Sequence, residues 1–230
     1  SKVGAHFELI PEIKKLRDEA DIIITNPPFS LFREFVNWIM ESEKQFVIIG
    51  NMNAITYKEI FPHIKKNKMW LGNGFKAGNA YFSSPVSNDY AEGVFDKETG
   101  LVKFRNCCWY TSIDHGKRHQ PMALMTYEDN LKFSKHKEIK EKGYQEYDNY
   151  NAIEVSFTDA IPSNYDGVMG VPISFLDKYS PEQFEIVGSD TDVKDGKLPE
   201  LVKPNWNGKI DRGYVNGNRI YSRILIRHKK

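Results

Sequence analysis

Residues 21–30 read Asp-Ile-Ile-Ile-Thr-Asn-Pro-Pro-Phe-Ser and are the most informative part of the sequence for the architecture. The run from Asp21 to Thr25 is short, β-branched and mostly apolar, which is typical of a central strand of a parallel sheet that is buried on both faces. The two prolines that follow cannot continue strand pairing, so the chain must leave the sheet there. The pattern predicts a buried strand that ends in a stiff loop.

Helical and strand patterns alternate on both sides of this stretch. Residues 8–19 carry apolar side chains at helical spacing, and Ser30 is the expected N-cap of the next helix. Residues 46–50 form a second apolar strand, and residues 69–71 form a third. Between them, Thr56 and Glu59 match a capping box that opens a helix to about Lys66. The apolar positions assigned to the two helical faces are Leu9, Ile13 and Leu16 in the first, and Phe32, Phe35, Val36 and Ile39 in the second.

The order strand, helix, strand, helix, strand predicts an α/β fold with part of a doubly wound, Rossmann-like sheet. After Gly72 the segments shorten, and the sequence predicts a β-rich region. Expected strands there are 101–105, 109–111 and 122–126, followed by a polar stretch at 127–150 and a strand at 167–173. Asn216-Gly217 is the dipeptide of a type I′ hairpin, and residues 220–227 alternate like a strand.

Composition excludes several classes of protein. The 230 residues are 40% hydrophobic and 27% charged, with a net charge of +1, which is ordinary for a globular protein. No apolar run approaches the roughly 20 residues that a membrane span needs, so no membrane partner is expected. Two cysteines and no signal-like start favour a cytoplasmic location.

The loop from Asn26 to Phe29 suits chemistry on a planar amine. In open α/β sheets, ligands bind beyond the carboxyl ends of the strands, where this loop is predicted. An exocyclic amine such as adenine N6 is a poor nucleophile because its lone pair is delocalised into the ring. The Asn26 side-chain oxygen and the Pro27 carbonyl can accept its two hydrogens and free that lone pair, while Pro27 and Pro28 keep the acceptors aimed. Phe29 offers a face on which an extruded base can stack.

These four residues resemble motif IV of the amino-methyltransferases, Asp/Asn/Ser-Pro-Pro-Tyr/Phe. Longer stretches are similar to the EcoRI-type adenine-specific DNA methylase family: residues 21–34, 49–51, 54–59, 70–72, 166–172, 175–179 and 181–185. The resemblance implies transfer of a methyl group from S-adenosylmethionine to adenine N6 in double-stranded DNA. It also implies a role in restriction-modification, with a cognate restriction endonuclease as a partner.

The family places a donor-binding segment with a glycine-containing turn before the Asn-Pro-Pro-Phe strand, and here only about one helix precedes that strand. The glycine-rich stretch 72–78 lacks the spacing of a dinucleotide fingerprint, and residues 186–190 are a weak candidate for a permuted donor turn. We therefore expect a carboxyl-terminal fragment of a longer enzyme, with weak or absent donor binding by the fragment alone.

These considerations divide the chain into three expected parts. Residues 1–73 form the catalytic half of the core, 74–150 form a target-recognition region, and 151–230 form an α/β segment that completes or flanks the core. Lys117, Arg118 and His119 are the expected contacts to DNA phosphates or base edges. Tyr144, Tyr147 and Tyr150 could stack on bases, but packing in the core is the safer interpretation of any single tyrosine.

Cys107 and Cys108, followed by His115 and His119, invite comparison with a zinc site. Adjacent cysteines rarely bind one ion together, and the usual spacing of two to four residues between cysteine ligands is absent, so we expect no metal. Two other functions remain open from the residues alone. One is a methyltransferase acting on another planar amine, such as an RNA base or a protein glutamine. The other is a DNA-binding module that has lost the chemistry.

Overall fold

The computed structural model describes residues 10–73, 80–83, 90 and 92–230. The chain divides into two compact units, 1–115 and 116–230, and both combine helices with β-sheet, as the predicted α/β class requires. This division differs from the expected boundaries after residues 73 and 150. The reason is that a strand at 107–111 pairs with strands from the first 73 residues.

The described part of the first unit contains three α-helices and six strands. The helices are α1 (Pro11–Glu19), α2 (Phe32–Glu41) and α3 (Phe61–Lys65). The strands are β1 (Ile22–Thr25), β2 (Gln45–Asn51), β3 (Trp70–Leu71), β4 (Ala80–Ser83), β5 (Leu101–Phe104) and β6 (Cys107–Thr111). Strands β1, β2, β6 and β3 form one sheet in that order, and β4 pairs with β5 as a separate antiparallel hairpin.

The four-stranded sheet is mixed. Strands β1 and β2 are parallel, with Ile22 opposite Gln45 and Thr25 opposite Ile48. Strand β6 lies between β2 and β3 and is antiparallel to both. The sequence predicted strands close to β1, β2, β3 and β6, but it placed residues 109–111 in a separate β-rich region. The position of β6 between two strands is consistent with its burial along nearly its whole length.

The prediction that residues 21–25 are buried on both faces is wrong for the described part of the chain. Among those residues, β1 pairs with β2 alone, and Ile22 and Ile24 are 44% and 72% exposed. Helix α1 confirms most of the predicted first helix but buries no residue. Leu16 is exposed, and the helix contacts α2 through Arg17, whose guanidinium lies 4.6 Å from the Trp38 ring centroid. The predicted apolar position Leu9 lies outside the described residues.

Two predicted helix starts in the first unit are also wrong. Ser30 lies within a 3₁₀ turn, Phe29–Leu31, and α2 then begins at Phe32 with no side-chain cap at Leu31. Thr56 ends a 3₁₀ helix, where its hydroxyl donates to the Asn53 carbonyl at 2.9 Å. It therefore caps no helix, and α3 is shorter than expected. A short helix can follow a 3₁₀ turn without a side-chain cap because the tighter turn satisfies some terminal backbone groups.

The core of the first unit anchors the start of α2 against the sheet. The rings of Phe32 and Tyr110 are 5.1 Å apart, and both side chains are fully buried. A Cβ at Gly50 would lie 2.4 Å from the Phe32 ring, so only glycine allows α2 to approach β2 this closely. The Tyr110 hydroxyl donates to the Asn51 carbonyl at 2.8 Å, which fixes the carboxyl end of β2.

In the second unit, residues 116–230, a five-stranded sheet is flanked by short helices. The helices are α4 (Tyr127–Phe133), α5 (Lys137–Lys142) and α6 (Asp190–Lys194). The strands are β7 (Gln145–Glu146), β8 (Ile153–Glu154), β9 (Met169–Pro172), β10 (Phe184–Ser189), β11 (Tyr214–Val215), β12 (Asn218–Arg219) and β13 (Arg223–His228). The sheet order is β10, β13, β9, β8, β7, and β11 pairs with β12 as a hairpin.

In the second unit the predicted hairpin turn is present, whereas one predicted strand is not. Asn216 and Gly217 both have positive φ angles, 51° and 75°, as the predicted type I′ turn requires. The strand predicted at 122–126 is wrong, because no strand is assigned there and Thr126 caps α4 by accepting a hydrogen bond from Asp129 N. Tyr144, Tyr147 and Tyr150 are all buried, which confirms their interpretation as packing residues. No helix in the described parts of the chain is long and apolar enough to cross a membrane.

Asp190 is a buried carboxylic acid at the start of α6, and burial raises its pKa from 3.8 to about 6. Between these two pH values, the folded protein binds more protons than the unfolded chain. The stabilising contribution of protonated Asp190 is therefore fully present below about pH 4 and is lost as the pH rises through about 6. We expect Asp190→Asn to remove this pH dependence. The change in the free energy of unfolding that it would remove is about 3 kcal/mol at most.

The measurement is the free energy of unfolding of the wild type minus that of the variant, from pH 4 to pH 8. Taking this difference cancels the titration of the other groups. Asp195→Asn, at a position where the side chain is 42% exposed, is measured in parallel as the exposed control. A difference for Asp190→Asn that does not change with pH would contradict the prediction.

Candidate active site

The loop Asn26–Phe29 leaves the sheet at the carboxyl end of β1, as the sequence predicts. Because β1 and β2 are parallel, the carboxyl end of β2 at Asn51 lies on the same edge of the sheet. This edge is where open α/β sheets bind their ligands.

In the loop, burial and a backbone hydrogen bond fix the two prolines, whereas Asn26 is exposed. Pro27 is buried, and the Pro28 carbonyl accepts a hydrogen bond from Leu31 N at 2.9 Å. Asn26 is exposed, and no group in the described residues hydrogen-bonds its side chain or donates to the Pro27 carbonyl. The Asn26 side-chain oxygen and the Pro27 carbonyl thus have no hydrogen-bond donor among the described residues, and the two prolines restrict the backbone that carries them.

The loop forms part of the wall of a cavity of about 530 Å³. This volume is within the range of small-molecule sites, roughly 300–1,000 Å³. The lining is mostly apolar and aromatic, with a few polar groups. It consists of Asn26, Pro27, Pro28, Phe29, Ile49, Phe82, Ser83, Tyr90, Val102, Phe104 and Cys107. All four predicted catalytic residues therefore line one cavity.

Sequence reasoning missed the other half of this lining. Phe82 and Phe104 come from the β4–β5 hairpin, and Tyr90 lies in the segment between those strands. The available signal was the accumulation of aromatic residues after Gly72. That signal could not say which aromatic side chains face the loop, because a hairpin's position depends on contacts distant in sequence.

A second cavity of about 180 Å³ lies beside the first and shares Phe29 as a wall. Its other lining residues are Phe32, Asn51, Asn53, Ala54 and Tyr57. The Asn51 side-chain oxygen accepts a hydrogen bond from Asn53 N at 2.8 Å, and the Arg33 guanidinium lies 4.2 Å from the Tyr57 ring centroid. Phe29 therefore has open space on more than one side and is 40% exposed.

Among the described residues, the cysteines do not form part of a cluster of metal ligands. Cys107 and Cys108 occupy successive positions of β6, so their side chains point to opposite faces of the sheet. Burial raises the pKa of the Cys107 thiol, which favours its neutral form. Within residues 10–73, 80–83, 90 and 92–230, no group of three His, Cys, Asp or Glu side chains is placed to hold a metal ion.

Lys117, Arg118 and His119 lie in a 3₁₀ helix, Gly116–His119, in the second unit. None of them is buried, and Lys117 and His119 each contact an acidic side chain. The Lys117 ammonium is 2.7 Å from Asp177, and His119 Nδ1 is 2.7 Å from Glu182. These carboxylates offset part of the positive charge that the segment would offer to a phosphate.

Comparison with known proteins identifies a family and several relatives of the chain. Residues 6–229 match the model of the family described as adenine-specific methyltransferase EcoRI. The Type II methyltransferase M.EcoRI of Escherichia coli is 39% identical over 219 residues, which are 94% of this chain and 60% of that protein. M.MgeORF184P of Mycoplasma genitalium is 34% identical over 92% of this chain and 66% of its own length. M.MpnI of Mycoplasma pneumoniae is 30% identical over 94% of this chain and 66% of its own length.

The chain thus spans about 60 to 66% of the length of these relatives. No solved structure matches it significantly. The family model covers nearly all of the chain, including the loop and the cavity lining described above. The chain belongs to the family of the adenine-specific methyltransferase EcoRI.

Proposed function

We propose that the protein transfers a methyl group to the N6 atom of adenine in double-stranded DNA. The observation that carries the proposal is the loop Asn26–Phe29, with its two available acceptors at the wall of an aromatic cavity. Membership of an adenine-specific family supports the same chemistry. The Type II names of the relatives support a restriction-modification role, in which a cognate endonuclease is a proposed partner.

Each residue of the loop has a role in this reaction. The Asn26 side-chain oxygen and the Pro27 carbonyl accept the two N6 hydrogens, so the nitrogen becomes pyramidal and its lone pair is freed for attack. Pro28 restricts the backbone of the loop, and Phe29 stacks on the base. The base must leave the duplex because N6 cannot be reached inside the stack. After attack, the nitrogen carries a positive charge and loses one of its two protons.

The methyl donor that the family implies is S-adenosylmethionine, whose sulfonium supplies an electrophilic methyl group. The described residues do not fit a complete donor pocket. No described strand pairs with the outer edge of β1, and no glycine-rich turn in the described ranges follows a strand beside that edge. We therefore assign the acceptor side of the reaction to this chain and derive no step at the donor.

The outer edge of β1, which has no partner strand among the described residues, also bears on the architecture of the first sheet. We propose that the sheet β1-β2-β6-β3 is half of a doubly wound, Rossmann-like sheet. The support is its parallel β1–β2 pair, the helix α2 between these strands, and the exposed apolar side chains along β1. A parallel strand paired to β1 would cover Ile22 and Ile24 and complete the switch point at which such folds bind ligands.

The direct test is transfer of tritiated methyl from S-adenosylmethionine by the full-length protein, with unmodified DNA, RNA and protein as separate acceptors. Label in DNA that is recovered as N6-methyladenine would support the proposal. Label in RNA or protein alone would assign another planar amine. Proven donor binding without transfer to any acceptor would indicate a binding module that has lost the chemistry.

We further propose that residues 74–150 include the DNA contacts, with Lys117, Arg118 and His119 among them. Lys117 and His119 must then exchange Asp177 and Glu182 for phosphate oxygens. In the full-length protein, Lys117→Ala with Arg118→Ala should weaken DNA binding and reduce the slope of log K against log salt by about 1 to 2, because each phosphate contact releases a counterion. The measurement is a dissociation constant at several salt concentrations.

Lys15→Ala is the matched control for this prediction. The Lys15 side chain is 75% exposed and pairs with Glu19 of α1 at 3.7 Å. Removing it lowers the net charge outside residues 74–150. An unchanged affinity and an unchanged salt slope in the Lys117/Arg118 double variant would reject the DNA assignment.

A further inference from the structure

The β4–β5 hairpin carries large aromatic side chains that stay exposed within the cavity. Phe82 and Phe104 are 43% and 44% exposed, and both line the cavity that contains Phe29. Their ring centroids are 5.5 Å apart, and the rings meet edge to face at 78°. Packed aromatic side chains normally bury most of their surface, so this apolar surface is available to a ligand.

The register of the hairpin separates its two faces. Ala80 is paired with Phe104, and Phe82 with Val102, so these four residues share one face. Tyr81 is paired with Lys103 on the opposite face, where the Lys103 ammonium lies 5.8 Å from the Tyr81 ring centroid. Phe82, Val102 and Phe104 line the cavity, whereas Tyr81 and Lys103 do not. The apolar lining that the hairpin gives to the cavity thus comes from one face, and Ser83, at the end of β4 on the other face, also reaches the cavity.

The cavity needs such a surface if it holds an extruded base. An adenine taken out of the duplex loses its stacking on both faces, and Phe29 can restore contact on one of them. The acceptors on Asn26 and Pro27 can activate N6 only if the ring plane is held in one orientation. A second apolar wall restricts that orientation.

We propose that Phe82 and Phe104 are positioning residues that form the second wall of the adenine pocket. The inference rests on the proposed function and extends it from the loop to the hairpin. Apolar rings recognise the flat face of the base and leave its hydrogen-bonding edge to polar groups of the cavity. The wall accordingly contributes affinity for an extruded base and orients N6 toward Asn26.

The test uses the full-length protein and a duplex containing its target, which is first mapped by sequencing N6-methyladenine in DNA that the protein has modified. Dissociation constants are measured for this duplex and for the same duplex with an abasic site in place of the target adenine. Phe82→Leu and Phe104→Leu keep apolar bulk in the hairpin but remove the rings. Each should weaken binding of the adenine duplex by about 5- to 100-fold, with binding of the abasic duplex unchanged.

Two matched variants complete the design. Tyr81→Leu removes a neighbouring ring from the opposite face and should leave both dissociation constants unchanged. Phe82→Tyr keeps a ring in place and should retain the preference for adenine. An equal loss of affinity for both duplexes, or no loss for either, would reject Phe82 and Phe104 as a wall of the adenine pocket and would leave the proposed function in place. Absence of N6-methyladenine after exposure to the wild-type protein would overturn both proposals.

Discussion

Asn26→Ala in the full-length protein is expected to lower the rate of methyl transfer to adenine N6 by about 10²- to 10³-fold. The estimate follows from the loss seen when one positioned hydrogen-bonding group is removed from a reacting centre. Asn26 is exposed at the wall of the cavity, and no described residue hydrogen-bonds its side chain. The alanine variant should therefore fold normally, so that the effect is chemical. Single-turnover transfer of tritiated methyl to DNA measures it.

Asn26→Asp is the matched control, because a carboxylate keeps an oxygen acceptor at the same position. Asp also occurs in the motif that the loop resembles, so this variant should retain more activity than the alanine variant. DNA affinity should change little in either, since the side chain acts on the amine and not on the phosphates. A rate for Asn26→Ala within threefold of the wild type would reject Asn26 as the acceptor.

The loop could be predicted from the sequence because its determinants are local. Two prolines after a β-branched run end a strand whatever packs around it, and this placed Asn26 and Phe29 at the carboxyl end of β1. The hairpin turn at Asn216-Gly217 was predictable for the same reason, since its backbone angles depend on the two residues themselves. The same holds for β2, whose apolar core spans residues 46–50 of a strand that runs Gln45–Asn51.

Features that depend on distant contacts were not predictable. The composition of β1 indicated burial, but the described residues supply a neighbour on one side only. The sequence of β6 is that of any short apolar strand. It belongs to the four-stranded sheet because it pairs with both β2 and β3, which the sequence does not show. The sequence shows that β4 and β5 are rich in aromatic residues. It does not show which of these side chains face the cavity, because that depends on the register of the hairpin. The predictions that Ser30 and Thr56 cap helices were wrong because both residues lie in 3₁₀ turns.

The second large effect concerns a buried ion pair in the second unit. Arg223 Nη2 lies 2.6 Å from Glu154 Oε1, and the two side chains are only 11% and 9% exposed. Tyr147 and Ser156 also donate hydrogen bonds to the Glu154 carboxylate. Burial would lower the pKa of Arg223, but the hydrogen bonds and charge of Glu154 raise it above its usual value. The guanidinium therefore stays charged in the core, and its stability there depends on Glu154.

Glu154→Gln should lower the free energy of unfolding by about 3–5 kcal/mol, because it leaves the buried guanidinium without its counter-charge. The matched control is Glu185→Gln, which breaks another Arg–Glu pair in the same sheet. Arg227 Nε lies 2.7 Å from Glu185 Oε2, but the two side chains are 51% and 47% exposed, so water replaces the lost partner. Its expected cost is less than about 1 kcal/mol. Urea unfolding of both variants measures the difference, and equal costs would show that burial does not determine the strength of the pair.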